Sequence, residues 1–295
     1  MPRYLPVLVV QEPSRRSGRD TELRELEAEL SVHLSDFGAE FEQTRMVVYP
    51  EFYLCGASGT PAERRAQLEA AAEPIDGPRH RHLARIARNQ GVWLLPGTVC
   101  ERGEDGHLYN TAPVYSPQGE RVAAYRKCFP WRPYEPFQPG SRLETFDIPG
   151  IGRIGLAICY DIWFPEVVRQ LAWSGAEVII NQVATSTSDR AQELILVQAN
   201  AIFNQVYMVS ANAAKPTGEG QSLMVDPEGR VRGQMPGATS GVLTDVLNLD
   251  EVERVRTFGT AGLNRLWSQY RDDDPVLELP MYGGGIDPRK WNQRG

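Results

Sequence analysis

The sequence predicts an α/β protein: a four-layer α-β-β-α sandwich of two mixed sheets, with an extended C-terminal arm. Three observations predict it. Short apolar runs alternate with segments of helical periodicity, two hairpins interrupt that alternation, and no repeat, linker or low-complexity segment divides the chain.

The elements follow in order. Residues 5–11 read as a buried strand. Over 21–42, Leu23, Leu26, Leu30 and Leu34 recur at helical spacing and make an amphipathic helix. Residues 46–50 are a short apolar strand that stops at Pro50. Helices over 61–72 and 78–89 begin with a proline, and 92–99 is a strand. Residues 109–116 and 121–127 pair around Pro117-Gln118-Gly119, and a proline-rich loop fills 128–140. Strands at 144–148 and 154–158 precede a helix over 164–174, whose Pro165 suits a first helical position. Then come a strand at 178–181, a helix at 189–204 and a strand at 206–212. A second hairpin joins 222–226 to 230–233, 241–246 is a strand, and 250–257 is a helix capped by Asp250. Residues 1–258 are expected to form one domain. Residues 259–295 show no strong periodicity, but Trp267, Tyr270, Leu277, Leu279, Met281 and Tyr282 need a surface, on this core or on a neighbouring subunit.

Composition excludes several function classes. The 295 residues carry a net charge of -7, which gives no bulk attraction for nucleic acid or an anionic membrane. No run approaches the roughly 18–20 apolar residues that span a bilayer. A secretory leader would need a longer apolar core than residues 5–10, so a cytoplasmic protein is expected. Cys55, Cys100, Cys128 and Cys159 show no CxxC spacing and are too sparse for a disulfide framework. Among 31 basic residues only Lys127, Lys215 and Lys290 are lysines. A general bias towards arginine explains most of that, but a lysine that survives it is of interest where a compact ammonium is needed.

Chemistry starts from Cys159. An apolar strand ends there and a proline-initiated helix follows, so the thiol is expected near a positive helix end, in a setting that favours thiolate. Read alone, Cys159 is as readily a small buried hydrophobe. Histidine is the usual base, but His33, His80, His82 and His107 sit within helices or a polar turn, never at a strand end. A Cys-His arrangement and a His/Cys metal site are therefore not expected. Glu51 lies just beyond a buried strand among Tyr49, Phe52 and Tyr53, a setting that raises a carboxyl pKa and suits proton transfer near neutrality. Lys127 ends a strand and enters the loop Cys128-Phe129-Pro130-Trp131, from which an ammonium can meet a developing oxyanion. Each of these two, judged alone, is better read as an ordinary loop acid or edge lysine.

Together the fragments resemble the nitrilase family of carbon–nitrogen hydrolases. The pieces are Pro50-Glu51, Tyr125-Arg126-Lys127, Glu135 leading into Phe137-Gln138-Pro139-Gly140, and Gly155 through Cys159 to Pro165-Glu166. Their order and spacing match the family over most of the chain, roughly residues 5–246. The resemblance implies a catalytic set of Glu51, Lys127 and Cys159, with Glu135 holding Lys127 or the reacting amide. It implies an oxyanion site at Lys127 and the backbone N–H of Tyr160, water as second reactant, and no metal or organic cofactor. Nitrile-cleaving members typically carry Trp-Glu after the cysteine, whereas this chain has Tyr160-Asp161, closer to amidases and to N-carbamoylputrescine amidases. Members that act on N-carbamoyl amino acids carry an arginine close after the cysteine to bind the carboxylate, and here none lies between Cys159 and Arg169, so a neutral or amine-bearing linear amide is expected, with a carbamoyl amine or a nitrile as alternatives. Tyr53, Trp131, Tyr134, Tyr160 and Trp163 are the expected aromatic wall, and Val183 and Ala184 after a strand add to it. Members usually associate as dimers or larger even assemblies, so at least a homodimer is expected, through 164–174 and the arm. Rival readings are an inactive scaffold, an acyltransferase, an ammonia-supplying glutaminase unit, and an interaction protein acting through its aromatic tail.

Overall fold

In the computed structural model of the protein, residues 2–15, 20–38 and 45–286 are described. Two mixed sheets lie face to face with helices outside each, the predicted architecture. The first sheet takes β1 (Tyr4–Gln11), β2 (Met46–Val48), β3 (Trp93–Leu95), β4 (Val99–Arg102), β5 (Leu108–Tyr115) and β6 (Arg121–Arg126). The second takes β7 (Thr145–Ile148), β8 (Gly152–Ile158), β9 (Val178–Val183), β10 (Tyr207–Asn212), β11 (Leu223–Val225) and β12 (Val231–Gln234). A late strand, β13 (Gly241–Asn248), returns to the first sheet, whose order is β13-β1-β2-β3-β5-β4 with β6 on β5; the second runs β12-β11-β10-β9-β8-β7.

Side-chain alternation along each strand sorts the core into layers. In β1, Val7 and Val9 face the second sheet, where they join Met46, Val48, Ile154, Leu156, Ile158 and Ile180. The intervening Leu8 and Val10 face outward onto α1 (Asp20–Gly38), and meet the heptad-like row Leu23, Leu26, Leu30 and Leu34. Leu83, Ile86 and Ala87 of α3 (Pro78–Gln90) complete that outer layer. On the far side, Ile179 and Met208 pack on Val167, Val168 and Leu171 of α4 (Pro165–Trp173) and on Val197 and Ala201 of α5 (Arg190–Asn204). Gly155 allows α4 this close approach: a Cβ there would lie 2.8 Å from Ile179 and 3.2 Å from Leu171. The remaining outer helix, α2 (Pro61–Ala71), starts from a capping box in which Thr60 and Glu63 satisfy each other's backbone N–H groups.

Three local expectations need correction, and a fourth lies partly outside the described residues. The single strand expected over 92–99 is two, β3 and β4, divided at Pro96-Gly97-Thr98. Gly97 has φ +91 and lies so near Pro50 that a Cβ would meet its carbonyl oxygen at 2.4 Å, so the break lets the chain pass under the turn carrying Glu51. Asp250 does not cap α6 (Asp250–Phe258): Leu249 holds that position without a side-chain cap, and the Asp250 carboxylate instead accepts from Arg3 Nε at 2.8 Å. The first helix is described to Gly38, and the expected stretch 39–42 lies outside the described residues. The arm is not simply extended. Trp267 is buried, with the guanidinium carbons of Arg169 and Arg256 5.2 and 5.5 Å from its ring centroid, and a small hairpin pairs β14 (Leu277–Leu279) with β15 (Gly284–Ile286). Residues 287–295 of the arm lie outside the described residues. Among the described residues no helix is long and apolar enough to cross a membrane.

His80, on the buried face of α3, exchanges a hydrogen bond with the Tyr115 hydroxyl. Burial, reinforced by the Arg79 charge, pulls its pKa down from 6.5 to about 3. The unfolded chain therefore binds one proton more than the native state between about pH 6.5 and 3, and His80 stabilises the fold above that window and loses this contribution as pH falls through it. Urea unfolding of His80→Gln is expected to show a shallower acid limb, its stability falling about 2 kcal/mol less than the unsubstituted protein's over two pH units of that window. Parallel acid limbs for the two proteins would contradict this account.

Candidate active site

Glu51 is fixed from both sheets. β2 ends at Val48, and the next residue, Tyr49, donates its N–H to Leu95 O at 2.9 Å while its own carbonyl accepts from Gln182 Nε2 at 2.8 Å. The Glu51 N–H donates to Val183 O at 3.2 Å, across the sandwich. Phe52, with φ 55, turns the chain away and donates its N–H to Thr98 Oγ1 at 3.0 Å. The Glu51 carboxylate is left facing inward, where Oε1 accepts from Asn110 Nδ2 at 2.8 Å and from Lys127 Nζ at 3.0 Å.

Lys127 follows β6, where alternation separates it from its neighbour. Arg126 faces outward, pairing with Glu101 at 2.5 Å and lying 3.8 Å over the Tyr109 ring, whereas Lys127 faces inward with no solvent exposure. Its N–H donates to Asn110 O at 2.9 Å, and its carbonyl accepts from Gly140 N at 2.8 Å. The ammonium bridges two carboxylates, Glu51 at 3.0 Å and Glu135 at 2.7 Å. Burial works against the charge, but the two carboxylates more than offset it and hold Lys127 protonated well above the ordinary lysine range. Glu135 sits in the loop after Lys127, its N–H donating to Trp131 O at 2.9 Å. Burial pushes its carboxyl up; Lys127 opposes that shift and the Glu51 charge adds to it.

Cys159 ends β8 at a sharp elbow with φ 47, a left-handed conformation that costs a non-glycine residue about 1 kcal/mol or more. Asp161 holds the elbow in place. Fully buried, it accepts from Ile158 N at 2.9 Å, from Phe129 N at 2.9 Å and from the Tyr125 hydroxyl at 2.8 Å. These bonds tie the turn after β8 to the strand and loop that carry Lys127. The sulfur lies 3.6 Å from Thr185 Oγ1. The expectation of a thiolate is corrected. Burial and the nearby Glu51 charge push the thiol well above its ordinary range, and Lys127 offsets them only in part. A single 3₁₀ turn, Cys159–Trp163, separates the sulfur from α4, so the helix end is not immediately beside it.

Glu51, Glu135 and Cys159 line one cavity of about 440 Å³. Trp131, Tyr134, Tyr160, Trp163 and Ala184 line it too, with the Trp131 and Tyr134 rings 4.3 Å apart. Two expected wall residues are elsewhere. Tyr53 points to the outer face of the first sheet, where its hydroxyl contacts Glu29 at 3.1 Å and its ring packs in the α1 layer. Val183 is wholly buried beneath the wall and contributes only its carbonyl, to Glu51 and Ala213. Sequence reasoning missed Asn110, Asp161 and Glu193, whereas Thr185, in the stretch 181–185 read as pocket wall, does line the cavity. Asn110 carried a signal, as a polar residue in a mostly apolar strand, but its partner is 59 positions away. Among the described residues no group of three or more His, Cys, Asp or Glu side chains is placed to hold a metal ion.

Known proteins resemble this chain in sequence and fold. The family model described as carbon–nitrogen hydrolase matches residues 23–257. A formamidase of Bacillus cereus (strain B4264) is 30% identical over 185 residues, 62% of this chain and 54% of the formamidase. The chain thus spans about half the length of the curated relatives it matches. Among solved structures, Saccharomyces cerevisiae Nit3, of branch 10 of the nitrilase superfamily, is similar in fold at a TM-score of 0.76 and 23% identity, covering 86% of this chain and 94% of Nit3. A mutant of the Nesterenkonia sp. AN1 amidase in complex with butyramide is 25% identical at a TM-score of 0.69, covering 86% of this chain and 94% of the amidase. Another mutant of that amidase, with the acetamide moiety of fluoroacetamide covalently added at its active-site cysteine, is 25% identical at 0.70, covering 85% and 92%.

Two measurements check the electrostatics and the elbow. Thiolate ultraviolet absorbance, taken as the difference between the unsubstituted protein and Cys159→Ala, should rise with a midpoint above 9.0; a midpoint near neutrality would refute the upward shift of this partly buried thiol. Asp161→Ala strips the acceptor from three buried donors and should destabilise the fold by about 3 kcal/mol in chemical unfolding. A loss under about 1 kcal/mol would show that the elbow does not depend on it.

Proposed function

The chain belongs to the carbon–nitrogen hydrolase family, and on that premise we propose that it hydrolyses the C–N bond of a small linear amide through a thioester on Cys159. One observation carries the reading: Lys127 is buried between Glu51 and Glu135, and those two carboxylates line the same cavity as an elbow-mounted cysteine. The relatives named formamidase, and the butyramide and fluoroacetamide complexes of the AN1 amidase, support a linear amide as substrate class.

The steps follow from these groups. Glu51 takes the thiol proton as the sulfur attacks the amide carbonyl carbon. The carbonyl electron pair moves onto oxygen, where the Lys127 ammonium and the Tyr160 N–H receive it. The tetrahedral adduct collapses, the C–N bond breaks, and Glu51 returns its proton to the leaving ammonia or amine. Water, deprotonated by Glu51, then attacks the thioester, and the acid leaves as the sulfur regains its proton. Glu135 keeps Lys127 in position throughout. The protonated resting thiol fits this order, since deprotonation accompanies attack and does not precede it. No cofactor enters these steps.

The core of the reading is a domain over residues 1–258 with the arm 259–295 resting on the core or on a neighbouring subunit. We infer at least a homodimer, supported by exposed apolar side chains on α4, α5 and the arm: Trp173, Ile195, Ile202, Phe203, Met281 and Tyr282. Ammonia release from formamide, acetamide and butyramide is expected, and Cys159→Ala should lower it at least about 1,000-fold while leaving the melting temperature in place. Stopping the unsubstituted enzyme with acid during turnover should add the acyl mass to the peptide bearing Cys159. Unchanged release by Cys159→Ala, or turnover of nitriles alone, would defeat the proposal.

A further inference from the structure

The cavity that holds Cys159 is lined by more charge than the hydrolytic steps employ. Its lining includes four carboxylates, Glu51, Glu135, Asp189 and Glu193, and two guanidiniums, Arg64 and Arg65. Both arginines come from α2, and Arg65, 63% exposed, is already paired with Glu69 at 2.9 Å. Glu51 and Glu135 are bound to Lys127. Asp189 is half-buried and accepts from the Thr187 hydroxyl.

Two of the four carboxylates keep a buried oxygen without a hydrogen-bond partner among the described residues, Glu135 Oε2 and Glu193 Oε1; Glu135 is bound to Lys127, whereas Glu193 is paired with Arg190. Glu193 stands in the first turn of α5, and its side chain is 1% exposed. One oxygen, Oε2, accepts from Arg190 Nη1 at 2.7 Å. Arg190 spends its other donors on the backbone, Nε on Gly220 O at 3.1 Å and Nη2 on Gln221 O at 2.9 Å, so it is held on Oε2. The second oxygen, Oε1, is buried and has no hydrogen-bond partner among the described residues. Leaving such an acceptor unmatched costs about 1–3 kcal/mol, and more when it is charged. A fold retains that cost where a ligand, an ion or an ordered water offsets it. The carboxylate also acts on the reaction centre, since its charge is among those that raise the Cys159 thiol.

We propose that Glu193 selects the substrate's tail, its Oε1 receiving the ammonium group of an amide whose carbonyl lies at Cys159. The inference rests on the amide-hydrolase reading and names its substrate class: a linear amide or carbamoyl compound ending in a protonated amine. A carboxylate tail meets a buried carboxylate and is repelled. A hydroxyl tail makes a neutral donor's bond, about half as strong as the charge-assisted one. An ammonium gains both the bond and the charge pairing, about 1.5–3 kcal/mol, which is roughly 10- to 100-fold in affinity. Arg64, which lines the same cavity, is the one feature that favours the opposite charge, and the test includes it.

The test reads binding in Cys159→Ala, so that turnover does not enter. Calorimetric titration compares pentanamide, 5-aminopentanamide and the monoamide of glutaric acid, which differ in tail charge at similar length. The ammonium-tailed amide should bind at least about 10-fold tighter than pentanamide, and the carboxylate-tailed one weakest. Adding Glu193→Gln keeps an acceptor for Arg190 but removes the charge, and should cut the ammonium preference at least about fivefold. Glu193→Asp, which retracts the oxygens by one methylene, should cut it too and serves if the glutamine variant melts early. Equal binding of the three amides, a preference unmoved by both Glu193 variants, or tightest binding of the carboxylate-tailed amide would overturn the proposal. Ammonia release by the unsubstituted enzyme is followed in parallel. Absence of release with the ammonium preference intact supports the tail site and overturns the hydrolase reading instead.

Discussion

A lysine ammonium without access to solvent, held between two glutamates, is the constraint on which the site depends. Removing such a charge from water costs several kcal/mol, and only close, well-formed partners offset it. Lys127 has two, at 3.0 and 2.7 Å, and they do more than keep it charged. Two carboxylates against one ammonium leave an excess of negative charge in a desolvated space. Burial pushes both the Glu135 carboxyl and the Cys159 thiol up, and the Glu51 charge adds to each shift while Lys127 opposes it. The sulfur rests neutral, beside an acceptor for its proton and a cation for the charge that would develop on substrate oxygen. Under the proposed mechanism the same imbalance that disfavours a resting thiolate prepares the site to move one proton as attack occurs.

The sandwich exists, for this purpose, as a means of bringing three loop ends together. Glu51 lies after a strand of one sheet and Cys159 after a strand of the other, and hydrogen bonds cross between the sheets at that level. Val183 O accepts from Glu51 N, and Tyr49 O accepts from Gln182 Nε2. Asp161 makes a third tie, from the cysteine elbow to Tyr125 and Phe129 on either side of Lys127. These residues touch no substrate in the proposed steps. They fix the relative height of the two sheets, and thereby the separation of acid, ammonium and sulfur. The inward-facing apolar residues of β1, β2, β8 and β9 supply the adhesion, and these polar ties supply the register.

The amphipathic rows were legible without coordinates. Leu23, Leu26, Leu30 and Leu34 announced an outer helix, and the short apolar runs announced strands buried on both faces, because a period of 3.6 or an unbroken apolar stretch is a local property. Local rules failed where a distant segment made the decision. The run over 92–99 is as apolar as a single strand, but Gly97 is drawn out of it to pass beneath Pro50. Asp250 stands where a cap belongs, but Arg3, 247 positions away, takes its carboxylate. Tyr53 sits two residues from Glu51, where strand alternation would give both one face, but the turn at Phe52, with φ 55, carries it to the outer layer.

The sequence by itself determined the layer architecture, the family pieces around Glu51, Lys127, Glu135 and Cys159, and the absence of a histidine at any strand end, since each is written in neighbouring residues. The tertiary structure alone decided which groups meet. It placed Asn110 on Glu51 and Asp161 under the elbow, left Glu193 with an unmatched oxygen on the cavity wall, and set the protonation of Cys159. The physical reason is range: periodicity and turn chemistry act over a few residues, whereas desolvation and charge pairing depend on which distant segments the two sheets bring within a few ångströms.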